Sequence, residues 1–192
     1  MRQPRGRTAT DSPEPDCWLH PDAEVRPSPI ADAGLFAAGP IGVGTVVSRL
    51  GGRIVSTGAL RELLTAAARD PDRPYIDSIA VEADLHLVLP PRQPSGPSRQ
   101  ATGYGNHGCD PNLWWVSAYE LAARRDIAAG QELTNDYATS TAEADFVMEC
   151  LCGSPSCRGV VTGDDWRRPE LRERYGQHWV PALLTRIRSA EL

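Results

Sequence analysis

Four of the five cysteines fall into one metal-ligand arrangement. Cys150, Cys152 and Cys157 form a Cys-x-Cys-x4-Cys run in ECLCGSPSCRG, and Cys109 lies upstream inside NHGCDPN. Structural zinc takes four thiolate or imidazole ligands, and four cysteines fill that shell. Gly153, Ser154 and Pro155 are a turn-forming spacer, so one short loop can supply three ligands. The fourth ligand must then come from elsewhere, and the metal would staple the C-terminal loop to the NHGCDPN segment. Four thiolates leave no open coordination position, which argues against a zinc hydrolase or deaminase. The fifth cysteine, Cys17, has no evident partner and reads as a buried or idle thiol.

Three more runs carry groups suited to ligands, and each has a plain structural alternative. Asn106-His107 offers an amide that is donor and acceptor at once, but NHGCDPN is also dense in turn formers. Gly34 opens GLFAAGPIGVGTVV; lacking a Cβ, it lets another group come close, yet the run also reads as a glycine-punctuated hairpin. ELTNDY, residues 132–137, ends in Tyr137, which read alone is as much a core tyrosine as a reactive one. Trp114 and Trp115 are core side chains by default.

In this order and combination, NHGCDPN, ELTNDY and CLCGSPSC resemble a SET-domain protein lysine methyltransferase with a post-SET zinc loop, from about Ile30 to about Val161. The resemblance implies a mostly β fold of the SET (β-clip) class with a knot-like C-terminal crossing, one inserted helix and C-terminal helices. It implies S-adenosylmethionine as cofactor, held by Gly34, Leu35, Phe36, Tyr104, Asn106, His107 and Val160. Structural zinc would be bound by Cys109, Cys150, Cys152 and Cys157. Tyr137 would be catalytic, its hydroxyl facing the methyl-transfer centre, and Asn135 and Tyr137 would line the substrate channel. Three positions depart from the family pattern. Asp32 stands where a glycine is usual, Gly103-Tyr104-Gly105 replaces an Arg-Phe-Ile type run, and Asn135 replaces Phe or Tyr. These departures keep open a catalytically inactive SET-like zinc module that binds a protein partner.

The elements that must position these residues can be sketched from pattern. Residues 1–16 are polar and proline-bearing and are expected to be a disordered tail. Residues 17–148 are expected to be the SET domain, 149–163 the zinc loop and 164–192 a helical extension. Short apolar runs broken by glycine from Ile30 to Val55 predict strands. Leu60, Leu63, Leu64 and Ala67 recur at helical spacing. Tyr75 to Leu89 alternates toward strands, and the stretch from Pro90 to Gln100 is a loop. Leu113–Val116 and Glu120–Arg125 predict a hairpin. The last segment predicts two helices, the second opening at Pro181, with Leu183, Leu184 and Ile187 facing the body.

Composition narrows the partners. The net charge is −5 and every one of the 20 basic residues is arginine. An acidic chain is poorly suited to phosphate backbones, so no direct nucleic-acid binding is expected, and a basic protein is the better fit; the resemblance implies that this protein substrate bears the target lysine. No run of about 18 apolar residues is present, and the arginine-bearing N-terminus has no apolar stretch after it. The expectation is a cytoplasmic monomer without membrane contact.

Overall fold

The computed structural model describes residues 13–70, 76–90 and 100–190. Residues 1–12 of the expected tail, Tyr75 at the start of the expected strand region, and residues 91–99 of the expected loop lie outside the described residues. Within the described part of the tail, the Glu14 carbonyl accepts the Gly52 N–H at 2.8 Å.

Short strands dominate. β1 (Trp18–Leu19), β4 (Val46–Arg49), β10 (Glu120–Ala123) and β9 (Leu113–Trp115) form one antiparallel sheet in that order. The β9–β10 hairpin is the one expected over Leu113–Val116 and Glu120–Arg125. A second sheet, in the order β2 (Ala23–Pro27), β3 (Ala33–Ala37), β11 (Glu132–Asn135), β8 (Asn106–His107), carries Gly34, Leu35, Phe36, Asn106, His107 and Asn135. Leu35 lies opposite Leu133 across β3 and β11. Asn106 and His107 lie beside Thr134 and Asn135 in a parallel pair, whereas the other described strand pairs are antiparallel. A parallel pair needs a crossover rather than a tight hairpin, and residues 108–131 supply it.

A third sheet has the order β5 (Arg53–Ser56), β7 (Leu85–Val88), β6 (Ser78–Glu82), and α1 (Thr57–Ala67) follows directly on β5. Ser56 caps α1, its hydroxyl accepting the Ala59 N–H at 3.2 Å, which satisfies one of the helix's otherwise unpaired donors. Only part of the anticipated apolar stripe of α1 is inside. Leu60 and Ala67 are buried, Leu63 is half-buried, and Leu64 remains 44% exposed. The small sheet covers one side of the helix, and Leu64 overlooks an open cleft instead.

The last two strands, β12 (Val147–Glu149) and β13 (Val160–Thr162), form a hairpin that brackets the cysteine loop. α2 (Pro169–Tyr175) and α3 (Pro181–Ser189) each open with proline, where a missing N–H costs nothing. Leu171, Tyr175, Trp179, Leu183 and Ile187 join the same core as Leu35, Val47, Trp115 and Leu133. Leu184 is only partly buried at its edge. The C-terminal helices therefore close the main core. No described helix is long and apolar enough to cross a membrane.

Candidate active site and metal centre

Strand pairing brings Gly34–Phe36, Asn106–His107 and Glu132–Tyr137 together from three distant parts of the chain. The Asn106 amide nitrogen lies 2.8 Å from Glu132 Oε1, 3.0 Å from the Ala33 carbonyl and 3.2 Å from Ser28 Oγ. Ser28 in turn donates to Glu132 at 2.8 Å. A Cβ on Gly34 would fall against Glu132 Oε1 and 2.8 Å from Asn106 Nδ2. The missing Cβ thus makes room for the protein's own carboxylate. Ser28 and Glu132 were not among the expected site residues: Glu132 was visible as the first residue of ELTNDY, whereas nothing in the sequence around Ser28 marked it. Gly34→Ala is expected to displace Glu132 and lower stability by about 1–3 kcal/mol, a change that urea denaturation measures.

Leu35 is buried and Phe36 half-buried, with the Arg26 guanidinium 6.0 Å from its ring centre. Tyr104 ends a 3-10 turn (Ala101–Tyr104) and packs on the core edge. Tyr137 donates its hydroxyl hydrogen to the Gly105 carbonyl at 2.9 Å. Asn135 is buried beside it. The position a Gly105 Cβ would take is 3.7 Å from Asn135 Oδ1, 3.8 Å from the Thr102 carbonyl and 3.9 Å from Leu35 Cδ1. These groups line a cleft of about 800 Å³ whose walls include Leu60, Leu64, Trp115, Tyr137 and Phe146. Trp115 is buried, as its core reading requires, whereas Trp114 stacks on His178 at 3.4 Å between ring centres. On β13, Val160 is 47% exposed, while its neighbour Val161 packs with Cys109 and Cys150.

The four cysteines meet. The sulfurs of Cys109, Cys150, Cys152 and Cys157 lie within 4.8 Å of one another. Cys109 and Cys150 sulfurs are 3.7 Å apart. Tetrahedral ligands at Zn–S distances of about 2.3 Å would be separated by roughly 3.8 Å, so the cage fits a zinc-sized ion. Backbone amides already serve the sulfurs: Arg158 N–H reaches Cys109 Sγ at 3.3 Å and Gly159 N–H reaches Cys157 Sγ at 3.4 Å. Burial pushes the Cys109 and Cys150 thiols up. At Cys152 burial acts the same way, but backbone hydrogen bonds outweigh it and bring the thiol down to about 7.

His107 joins the two centres. The Tyr137 N–H donates to His107 Nδ1 at 3.2 Å, so the ring proton sits on Nε2, which faces Cys109 Sγ at 3.3 Å. Burial lowers the His107 pKa in spite of nearby Asp136, as suits a neutral ring in that role. Asp136 is fully enclosed and held by a two-pronged Arg158 contact at 2.6 and 2.7 Å. The Tyr175 hydroxyl donates to it at 2.8 Å. Burial alone would raise the Asp136 carboxyl, but the Arg158 guanidinium and the Tyr175 hydroxyl outweigh it and hold the carboxyl below its usual range. Arg158, Asp165 and Tyr175 escaped the sequence reading. Only the adjacency of Arg158 to the last cysteine could have flagged it.

Comparison with known proteins agrees with this geometry. The SET domain family model matches residues 32–138, more than half of the chain. Histone-lysine N-methyltransferase ash1 of Drosophila melanogaster is 28% identical over 135 residues, which is 67% of this chain and 6% of that protein. Methyltransferase flvH of Aspergillus flavus is 32% identical over 121 residues, 62% of each. This chain therefore spans less than two thirds of either relative. Among solved structures, the methyltransferase domain of human histone-lysine N-methyltransferase SETMAR superposes with a TM-score of 0.53 at 21% identity, covering 74% of this chain and 57% of that one. That likeness concerns the fold. With the family model covering the strands that assemble Gly34, Asn106 and Tyr137, the chain belongs to the SET domain family.

Proposed function

We propose that this protein transfers methyl groups from S-adenosylmethionine to lysine side chains of a basic protein, with histones or histone-like proteins as the first candidates. The observation that carries the reading is the convergence of Leu35, Gly105, Asn135 and Tyr137 on one cleft, with Asn106 held on the adjoining strand by the β3–β11–β8 pairing. The relatives' names support it, since ash1 is a histone-lysine methyltransferase. Net charge −5 suits a basic partner.

Gly34, Leu35, Phe36, Tyr104, Asn106, His107 and Val160 would hold the cofactor, which supplies an electrophilic sulfonium methyl. The chain's own residues do the rest. Leu60, Leu64, Trp115 and Phe146 give the cleft apolar walls, which disfavour a lysine ammonium and lower its pKa. The carbonyls of Thr102 and Gly105 and the Tyr137 oxygen offer acceptors where amine and methyl must meet. Orientation, with reacting atoms about 3–3.5 Å apart, is the main contribution such a site can make. Zinc held by Cys109, Cys150, Cys152 and Cys157 would fix the loop beside the cleft.

A second reading, cofactor binding without transfer, draws on the polar Asn135 in an otherwise aromatic slot and on an Asn106 amide already engaged by Glu132. Asn135→Phe separates the two. In an active enzyme it narrows the amine pocket and shifts the ratio of mono-, di- and trimethylated lysine by roughly 10-fold, with cofactor binding retained. Mass spectrometry of product peptides reads the shift. The reading itself is tested by incubating zinc-loaded protein with labelled S-adenosylmethionine and histones. Label on lysine supports it; cofactor binding with no label on any basic protein supports the second reading.

A further inference from the structure

We propose that Arg158 is a positioning residue for Tyr137, the link through which the cysteine cluster fixes the backbone on which that tyrosine stands. The inference rests on the methyl-transfer reading and adds to it how the site is held.

Both amides flanking the Tyr137 side chain are held by side chains. The Tyr137 N–H donates to His107 Nδ1 at 3.2 Å, and the next amide, Ala138 N–H, donates to Asp136 Oδ1 at 3.0 Å. Each holder leads back to the same sulfur. His107 Nε2 lies 3.3 Å from Cys109 Sγ. Asp136 is gripped by the Arg158 fork, and the backbone N–H of Arg158 itself donates to Cys109 Sγ at 3.3 Å. Arg158 Nε makes a third side-chain bond, to Asp165 at 3.0 Å. The Arg158 side chain is 6% exposed and the Asp136 carboxylate not at all, so both groups are largely shielded from water.

Arginine is required here by shape. A planar fork meets both carboxylate oxygens in one orientation, whereas a lysine ammonium is a point charge on a flexible stem. The carboxylate so oriented caps the 3-10 turn Tyr137–Thr139 and sets the direction in which Tyr137 leaves it. The Tyr137 hydroxyl then reaches Gly105 across the cleft wall.

The test is Arg158→Lys in the full chain, labelled with 3-fluorotyrosine and loaded with zinc or cobalt(II). The Tyr137 fluorine resonance is identified by its absence in Tyr137→Phe. The expected result is a shifted or broadened Tyr137 resonance, with those of Tyr104 and Tyr119 in place and the four-thiolate cobalt absorption unchanged. The turnover number falls on the order of 10- to 100-fold, with the cofactor KM within about twofold. In a Tyr137→Phe background the same substitution costs less than about threefold, because the residue through which it acts is already silent. If Arg158→Lys does not fold, Tyr175→Phe, which removes one bond to Asp136, must move the same resonance by a smaller amount. An unmoved Tyr137 resonance, additive losses in the double variant, or loss of the cobalt absorption would each overturn the proposal. The resonance and cobalt arms need no substrate, so they judge Arg158 even if wild-type protein transfers no methyl group.

Discussion

Replacing Tyr137 by phenylalanine is expected to lower methyl transfer on the order of 100-fold or more while leaving the fold and cofactor affinity in place. The ring keeps its packing beside His107, whose centre lies 5.4 Å away. What is lost is one oxygen at the cleft, in reach of Gly105. Removing a single preorganised hydrogen-bonding group from a reaction centre typically costs about 10²–10³ in rate, whereas losing one hydrogen bond costs only about 1 kcal/mol of stability. A core tyrosine would show the reverse: full activity and a small loss of stability. Single-turnover rates alongside thermal melts separate the cases.

Removing the metal is expected to have the largest structural effect. Without an ion, two buried thiols and their neighbours share a cage with sulfurs within 4.8 Å, and the β12–β13 hairpin and the Arg158 fork are left to hold the loop. Chelation of zinc-loaded protein, or Cys150→Ser, should lower the unfolding free energy by more than about 3 kcal/mol, because binding free energy at structural zinc sites is folding free energy. Hydrogen exchange should rise first across residues 147–162 and then at Tyr137, whose N–H depends on His107 beside Cys109. Cys17→Ala is the control. Cys17 Sγ accepts the Gly51 N–H at 3.3 Å and takes no part in the cage, so metal stoichiometry should stay at one. A wild-type preparation holding less than about half an equivalent after zinc-replete purification would contradict the assignment.

The parts of this molecule legible in its sequence were those with local signals. Glycine-broken apolar runs gave strands, Pro181 marked the start of α3, and the Cys-x-Cys-x4-Cys spacing found its cage. The pairing of β8 with β11 was not readable from pattern, because two residues of strand carry no periodicity. It emerges in the structure, in the register of Asn106 against Thr134. The role of Gly34 was half legible. The need for an absent side chain was clear, but its occupant, Glu132, belongs to a strand far along the chain. The Asp136–Arg158–Tyr175 network was not legible at all, since a buried charge pair looks the same in sequence as a solvated one. Leu64 failed the helical stripe because periodicity shows which face is apolar and not whether anything covers it.

The most direct test of the account is transfer of a labelled methyl group from S-adenosylmethionine by zinc-loaded protein to a panel of histones and other basic proteins, read by mass spectrometry at single residues. The account predicts methyl groups on lysine with wild-type protein and their near absence with Tyr137→Phe at equal cofactor occupancy. Equal labelling by both proteins, or no binding of S-adenosylmethionine to the zinc-loaded wild type in calorimetry, would contradict it.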